Sequence, residues 1–218
     1  MIVPLSSAEP AEQAKRDLDA ASGRTYPLKP YAVWNIEYRR VGMDGGGYPG
    51  TLSDVAAAID SLPAMSAGPL DLADVTFIGH SAGGHLAFWA AGRDRLLTGQ
   101  AGANPTVMPR LVIVQGPVGD LVAAAAAGAG NGAVIDFMGA PPDELPDEYD
   151  VANPRIGGLV RVVVVRGAHD EIVAPGHTVP RSAGPPSVID VPGDDHFDLI
   201  DPAGATWAHV IAALIGSN

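Results

Sequence analysis

Three side chains that together can activate a hydroxyl for attack on a carbonyl lie far apart in this 218-residue sequence: Ser81, Asp170 and His196. A serine hydroxyl is a weak nucleophile until a base takes its proton, and the base works best when a third group fixes its tautomer and orientation. Ser81 is the centre of Gly79-His80-Ser81-Ala82-Gly83, a G-x-S-x-G pentapeptide. That pattern suits a sharp strand-to-helix turn, where small residues two positions to either side leave room for a strained serine. The alternative is an ordinary glycine turn, and the context speaks against it. VTFIG precedes as an apolar strand and GHLAFWAAG follows as a helix.

The candidate base is His196, in GDDHFDLIDP after the fifth expected strand. Of the other five histidines, His80 and His85 are tethered too closely to Ser81 and read as packing or pocket residues. His169 precedes the candidate acid, His177 lies in a Pro-rich stretch and His209 falls on the last helix. The candidate acid is Asp170 in RGAHDEIVAP, with Glu171 as its neighbour and rival. Asp194 and Asp195 adjoin His196 but read as solvated loop charges.

These residues need elements to hold them, and the alternation of short apolar runs with Ala-rich stretches supplies an α/β pattern. Expected strands are Tyr31–Glu37, Val75–Ile78, Leu111–Val114, Leu159–Val165 and Ser187–Val191; the fourth, the most hydrophobic, is expected to be central. Expected helices cover 51–62, 85–91 and 205–215. Met1–Leu5 is a candidate early strand, followed by a helix over 10–21 with Ser7 as its cap. Residues 118–150, an Ala/Gly tract followed by APPDELPDEYD, break the alternation and read as a small helical insertion or lid. Trp89 and Phe137 are candidate lining residues for an apolar pocket beneath it, although core packing is the commoner role. No domain boundary stands out, so residues 1–218 are expected to form one domain.

Composition narrows the function classes. Thirteen basic residues against 25 acidic ones give a formal charge of −12, which argues against nucleic-acid or anionic-membrane partners. The absence of cysteine removes disulfides, thiolate metal sites and a cysteine nucleophile. Gly and Pro are abundant, but 47% hydrophobic and 17% charged content speaks for a packed core rather than disorder. No basic, apolar leader opens the sequence and no apolar run approaches ~18 residues, so the expected compartment is cytoplasmic.

The stretches AVWNIEYRR, TLSDVAAAID, GHSAGGHLAFWAAG, DVANP, RGAHDEIVAP and HFDLIDP resemble α/β-hydrolases of the esterase/kynurenine-formamidase-like branch, over about residues 31–218. The order Ser81, Asp170, His196 is the chain order of that superfamily. The resemblance implies a three-layer sandwich with a mostly parallel sheet, missing its opening strands. It implies Ser81 as nucleophile, His196 as base, Asp170 as orienting acid and the Ala82 N–H as one oxyanion donor. Esters or aryl formamides would be the substrates, with no cofactor and no metal. A His-Gly-Gly segment that supplies the second oxyanion donor in such enzymes is missing; IVPLSSAEP stands in its place, and the GGGYPG loop at 45–50 falls one connection too late. Ser6 or Ser7 N–H groups could substitute if Met1–Leu5 is a strand. The leading expectation is therefore a serine hydrolase acting on a small carboxylic ester or amide. The alternative is a non-hydrolytic member of the fold that binds a ligand or acts as a lyase or cyclase. The shortened sheet leaves an edge that a homodimer is expected to cover.

Overall fold

A computed structural model describes residues 2–4, 31–65, 70–157, 159–180 and 185–216. The expected helix over 10–21 and the candidate donors Ser6 and Ser7 lie outside the described residues. Six strands form one sheet: β1 (Ile2–Pro4), β2 (Tyr31–Val33), β3 (Thr76–His80), β4 (Leu111–Gln115), β5 (Arg161–Gly167) and β6 (Ser187–Val191), in the spatial order β2-β1-β3-β4-β5-β6. β3 through β6 are parallel, while β1 runs antiparallel to both neighbours. The first two strands are thus short, and β2 stops at Val33 rather than at Glu37. The valine-rich β5 is an interior strand one position from the edge, and the two central positions belong to β3 and β4.

The apolar run of β4 is buried on both faces, as parallel strands between helical layers must be. Successive side chains go to opposite cores. Val112 and Val114, with Val162 and Val164 of β5, pack into the layer of α1 (Gly50–Asp60) and α3 (Ser81–Ala91). Leu111 and Ile113, with Val163 and Val165, pack beneath α7 (Ala205–Ile215). Each fully buried side chain of this kind is worth about 1.5–3 kcal/mol. A charge at Val164 would therefore break the sheet's interior. α1 shows the same logic at helical spacing, burying Leu52, Val55, Ala56 and Ile59. A short α2 (Leu62–Met65) follows it.

The segment expected as an insertion contains α4 (Leu121–Ala126), α5 (Ala133–Met138) and α6 (Pro146–Ala152). Asp120 caps α4, its Oδ1 accepting from the Val122 and Ala123 N–H groups at 3.1 Å each. Trp89 does not line a pocket near Ser81: it is buried in the core, and its Nε1 donates to the Val151 carbonyl at 3.1 Å. No helix among the described residues is long and apolar enough to cross a membrane.

Register places the working ends of the strands side by side. His80 pairs with Gln115, Gln115 with Val165, and Gly167 with Val191. Ser81, Gly116, Asp170 and His196 all follow at this carboxyl edge, where open α/β sheets offer a crevice for ligands.

Candidate active site

The turn from β3 into α3 has no intervening loop. Ser81 follows His80 directly and adopts φ of 53°, a left-handed conformation that is rare for a side chain and marks a strained turn. Crowding explains part of the pentapeptide. A Cβ on Gly79 would meet the Gly83 carbonyl oxygen at 2.2 Å, so Gly79 is required. Gly83 itself has open space around it. The second crowded position is Gly84, where a Cβ would approach Pro117 at 2.8 Å. No side chain caps the start of α3, which leaves first-turn N–H groups, including that of Ala82, free to donate to a developing negative charge.

Asp170 and His196 meet in a buried pair. His196 Nδ1 lies 2.7 Å from Asp170 Oδ2, and both residues are largely shielded from water. The other carboxylate oxygen, Oδ1, accepts the Ile172 and Val173 N–H groups at 3.0 and 2.9 Å. Three donors thus converge on this carboxylate, and with Nδ1–H directed at Asp170 the imidazole's Nε2 is the ring atom left to accept a proton. Glu171 is exposed and takes no part in the pair.

The loop carrying His196 is pinned from several sides. His80 Nε2 donates to the His196 backbone carbonyl at 2.9 Å, and the two rings pack with centroids 4.5 Å apart and planes tilted by 48°. Burial lowers the pKa of His80 below its ordinary value, a shift opposed by its bond to that carbonyl. Asp195 is more than a solvated charge: its Oδ1 accepts the N–H groups of Phe197 and Asp198 at 2.7 and 2.9 Å. Those bonds lower its pKa. Gln115 Nε2 donates to the Leu199 carbonyl and Thr206 Oγ1 to Asp194.

Two participants were hidden from the sequence. Gly116, at φ of 50°, abuts the dyad: a Cβ there would lie 2.9 Å from Asp170 Oδ2 and 3.1 Å from His196 Nδ1. Its only signal was a Gly directly after a buried strand. His80 ties the residue before Ser81 to the loop of His196, so the two segments share a support although Ser81 Oγ and His196 form no hydrogen bond. Such bonds commonly tighten only when substrate binds.

Ser81 and Ala82 border a cavity of about 350 Å³, large enough for a small organic ligand. Phe137 of α5, a lining candidate for which core packing was the commoner reading, lines it together with His85, Val118 and Val173. The GGGYPG loop does not border it; Gly47 N–H instead donates to Thr51 Oγ1 at 3.1 Å, and Tyr48 N–H to the Phe137 carbonyl at 2.8 Å. Among the described residues, no group of three or more His, Asp or Glu could hold a metal ion.

With this arrangement in view, residues 9–180 match the sequence profile of the family described as BD-FAE. The chain belongs to the BD-FAE family. No curated protein matches it by sequence. Solved structures similar to this BD-FAE chain include the bifunctional GH43-CE protein of Bacteroides eggerthii, at a TM-score of 0.62 and 19% identity, covering 79% of this chain and 27% of that one. This chain thus spans about a quarter of that protein's length. A truncated carbohydrate esterase from gut microbiota aligns at a TM-score of 0.63 and 19% identity, covering 82% and 72%. A lipase/esterase from Lactobacillus plantarum aligns at 0.54 and 19%, covering 95% and 78%. At these identities the likeness is one of fold, and the fold of this BD-FAE member is that of the α/β-hydrolases.

Proposed function

We propose that this BD-FAE chain is a serine hydrolase that cleaves small carboxylic esters, or amides, through an acyl-enzyme. The observation that carries this reading is the buried His196–Asp170 pair at 2.7 Å, at the same sheet edge as a serine held at positive φ. The Ile172 and Val173 N–H bonds to the Asp170 carboxylate and the close approach of Gly116 suit an imidazole kept in one tautomer.

In the proposed reaction His196 Nε2 takes the proton of Ser81 as Oγ attacks the ester carbonyl carbon. The Ala82 N–H donates to the oxyanion of the tetrahedral intermediate. His196 then gives the proton to the departing alcohol oxygen as the C–O bond breaks, leaving an acyl group on Ser81. Water, deprotonated by the same imidazole, attacks the acyl carbon and releases the acid and free Ser81. Residues 118–150 act as a lid whose Phe137 and Val134 line the acyl pocket. Proteins of this fold include a carbohydrate esterase from gut microbiota and a lipase/esterase from Lactobacillus plantarum, which supports the same reading.

A second reading, a ligand-binding protein, lyase or cyclase on the same fold, draws on the missing His-Gly-Gly segment. Losing one oxyanion donor lowers turnover by ~10²–10³ without abolishing it, so the triad decides between the readings. Turnover of p-nitrophenyl acetate and butyrate is the test. Wild type is expected to hydrolyse them, and Ser81→Ala or His196→Ala to lose at least ~10³-fold in kcat. Equal rates in all three proteins would remove the hydrolase reading.

A further inference from the structure

Four residues beyond Ser81 on α3, and hence on the same helix face, stands a histidine that the proposed mechanism does not use. His85 is only 4% exposed and borders the cavity that Ser81 and Ala82 also border. Its Nδ1 lies 3.2 Å from the Val118 carbonyl oxygen. A carbonyl can only accept, so Nδ1 carries the proton and Nε2 presents a lone pair. Burial pushes the pKa of His85 down to about 4, so the ring is neutral near pH 7. Nε2 has no hydrogen-bond partner among the described residues, although it is buried.

A buried acceptor without a donor is unfavourable, and such exceptions call for a physical reason. A ring serving only to fill space beneath the lid would be better replaced by Phe or Leu, like the Leu86, Leu121 and Val134 side chains around the same cavity. A hydrogen-bond acceptor that only an occupant of the cavity can satisfy is instead a means of discrimination. Sites with a fixed polar partner reject ligands that cannot meet it far more strongly than apolar pockets reject a missing methylene.

We propose that His85 is a specificity-determining residue, whose Nε2 accepts a hydrogen bond from a hydroxyl group on the substrate and so selects hydroxyl-bearing esters over apolar esters of the same shape. The inference rests on the ester-hydrolase reading above for its reaction, but not for its binding contact. Phe137 stands edge-on to the same ring, with centroids 6.1 Å apart and planes at 72°. Turning of that half-buried side chain is the movement that admits the hydroxyl.

Two isosteric ester pairs test this and locate the hydroxyl: 2-hydroxyethyl butanoate against propyl butanoate, and methyl 4-hydroxybutanoate against methyl pentanoate. Wild type is expected to favour the hydroxylated member of one pair by at least ~10-fold in kcat/KM, about the value of one hydrogen bond. His85→Phe is expected to bring that ratio close to one. A ratio near one for both pairs in wild type, or a ratio that His85→Phe leaves unchanged, overturns the proposal.

A binding readout keeps the proposal separate from the reaction and from the folding of the variant. In Ser81→Ala protein with ¹⁵N-labelled histidine, the favoured hydroxylated ester is expected to move the His85 Nε2 resonance toward that of a hydrogen-bonded nitrogen, and its apolar partner to leave it in place. A resonance that stays fixed up to the solubility limit of both hydroxylated esters refutes the contact. If wild type hydrolyses none of the four esters, the hydrolase reading fails, and the resonance still decides the role of His85.

Discussion

Replacing Gly116 by Ala perturbs the dyad without touching a polar group. The added Cβ would lie 2.9 Å from Asp170 Oδ2, 3.0 Å from Leu199 Cδ1 and 3.1 Å from His196 Nδ1, whereas ordinary contact begins at 3.4 Å. Asp170 must therefore retreat by about 0.5 Å, and a shift of that size stretches the 2.7 Å bond to His196 to the weak end of hydrogen-bond geometry. The backbone adds a separate cost. At φ of 50° an alanine is about 1–2 kcal/mol less favourable than glycine, which for a chain of this length lowers Tm by roughly 2–8 °C. Gly99→Ala isolates that second effect, because Gly99 also has positive φ but nothing within 4 Å of its absent Cβ. Thermal melts and p-nitrophenyl butyrate kinetics on both variants separate the two. Both are expected to melt lower, and only Gly116→Ala is expected to lose kcat, by about 10–100-fold, since displacements of up to ~1 Å can cost ~10² in rate. If Gly116→Ala keeps wild-type kcat, or loses no more than Gly99→Ala, the dyad is not the working geometry.

Other expectations follow from the same contacts. Asp170→Asn should keep the fold but favour the wrong imidazole tautomer, lowering kcat by ~10³–10⁴ in ester turnover assays. His85 should make stability depend on pH. It stays neutral in the folded state down to about pH 4, while in the unfolded chain it protonates below its ordinary 6.5. Its contribution is complete above pH 6.5 and disappears as pH falls toward 4, at ~1.4 kcal/mol per pH unit or about 3 kcal/mol in all. Urea unfolding at pH 7 and pH 4 should register that loss in wild type, and His85→Phe should reduce it. We propose a homodimer that covers an edge of the sheet, and light scattering at micromolar concentration should return twice the mass of one chain; a monomer mass would remove it.

Much of the candidate site was legible because its proposed members are local signals at the ends of apolar runs. Ser81 stood out through its pentapeptide, and Asp170 and His196 through the loops that follow β5 and β6. What the sequence could not disclose were contacts made only by register. Gly116 is one glycine among 27, and its importance exists only because β4 and β5 align to bring Asp170 beside it. His80, read as a packing residue because it adjoins Ser81, turned out to hold the His196 carbonyl across 116 positions of sequence. Trp89 takes the commoner of its two expected roles, core packing, because the side chain's direction depends on helix phase, which an apolar aromatic in the helix after Ser81 does not reveal. Hydrophobicity alone misjudged β5 as central, since a strand covered on both faces by helices is equally apolar one position from the edge.

The central claim is that Ser81 is the nucleophile activated by the His196–Asp170 pair. Its most direct test is labelling with a fluorophosphonate, followed by intact-mass measurement and peptide mapping. Wild type should take up one adduct on Ser81, Ser81→Ala none, and His196→Ala one only at a much slower rate. Labelling of Ser81→Ala at the wild-type rate, or an adduct mapped to another residue, would contradict it.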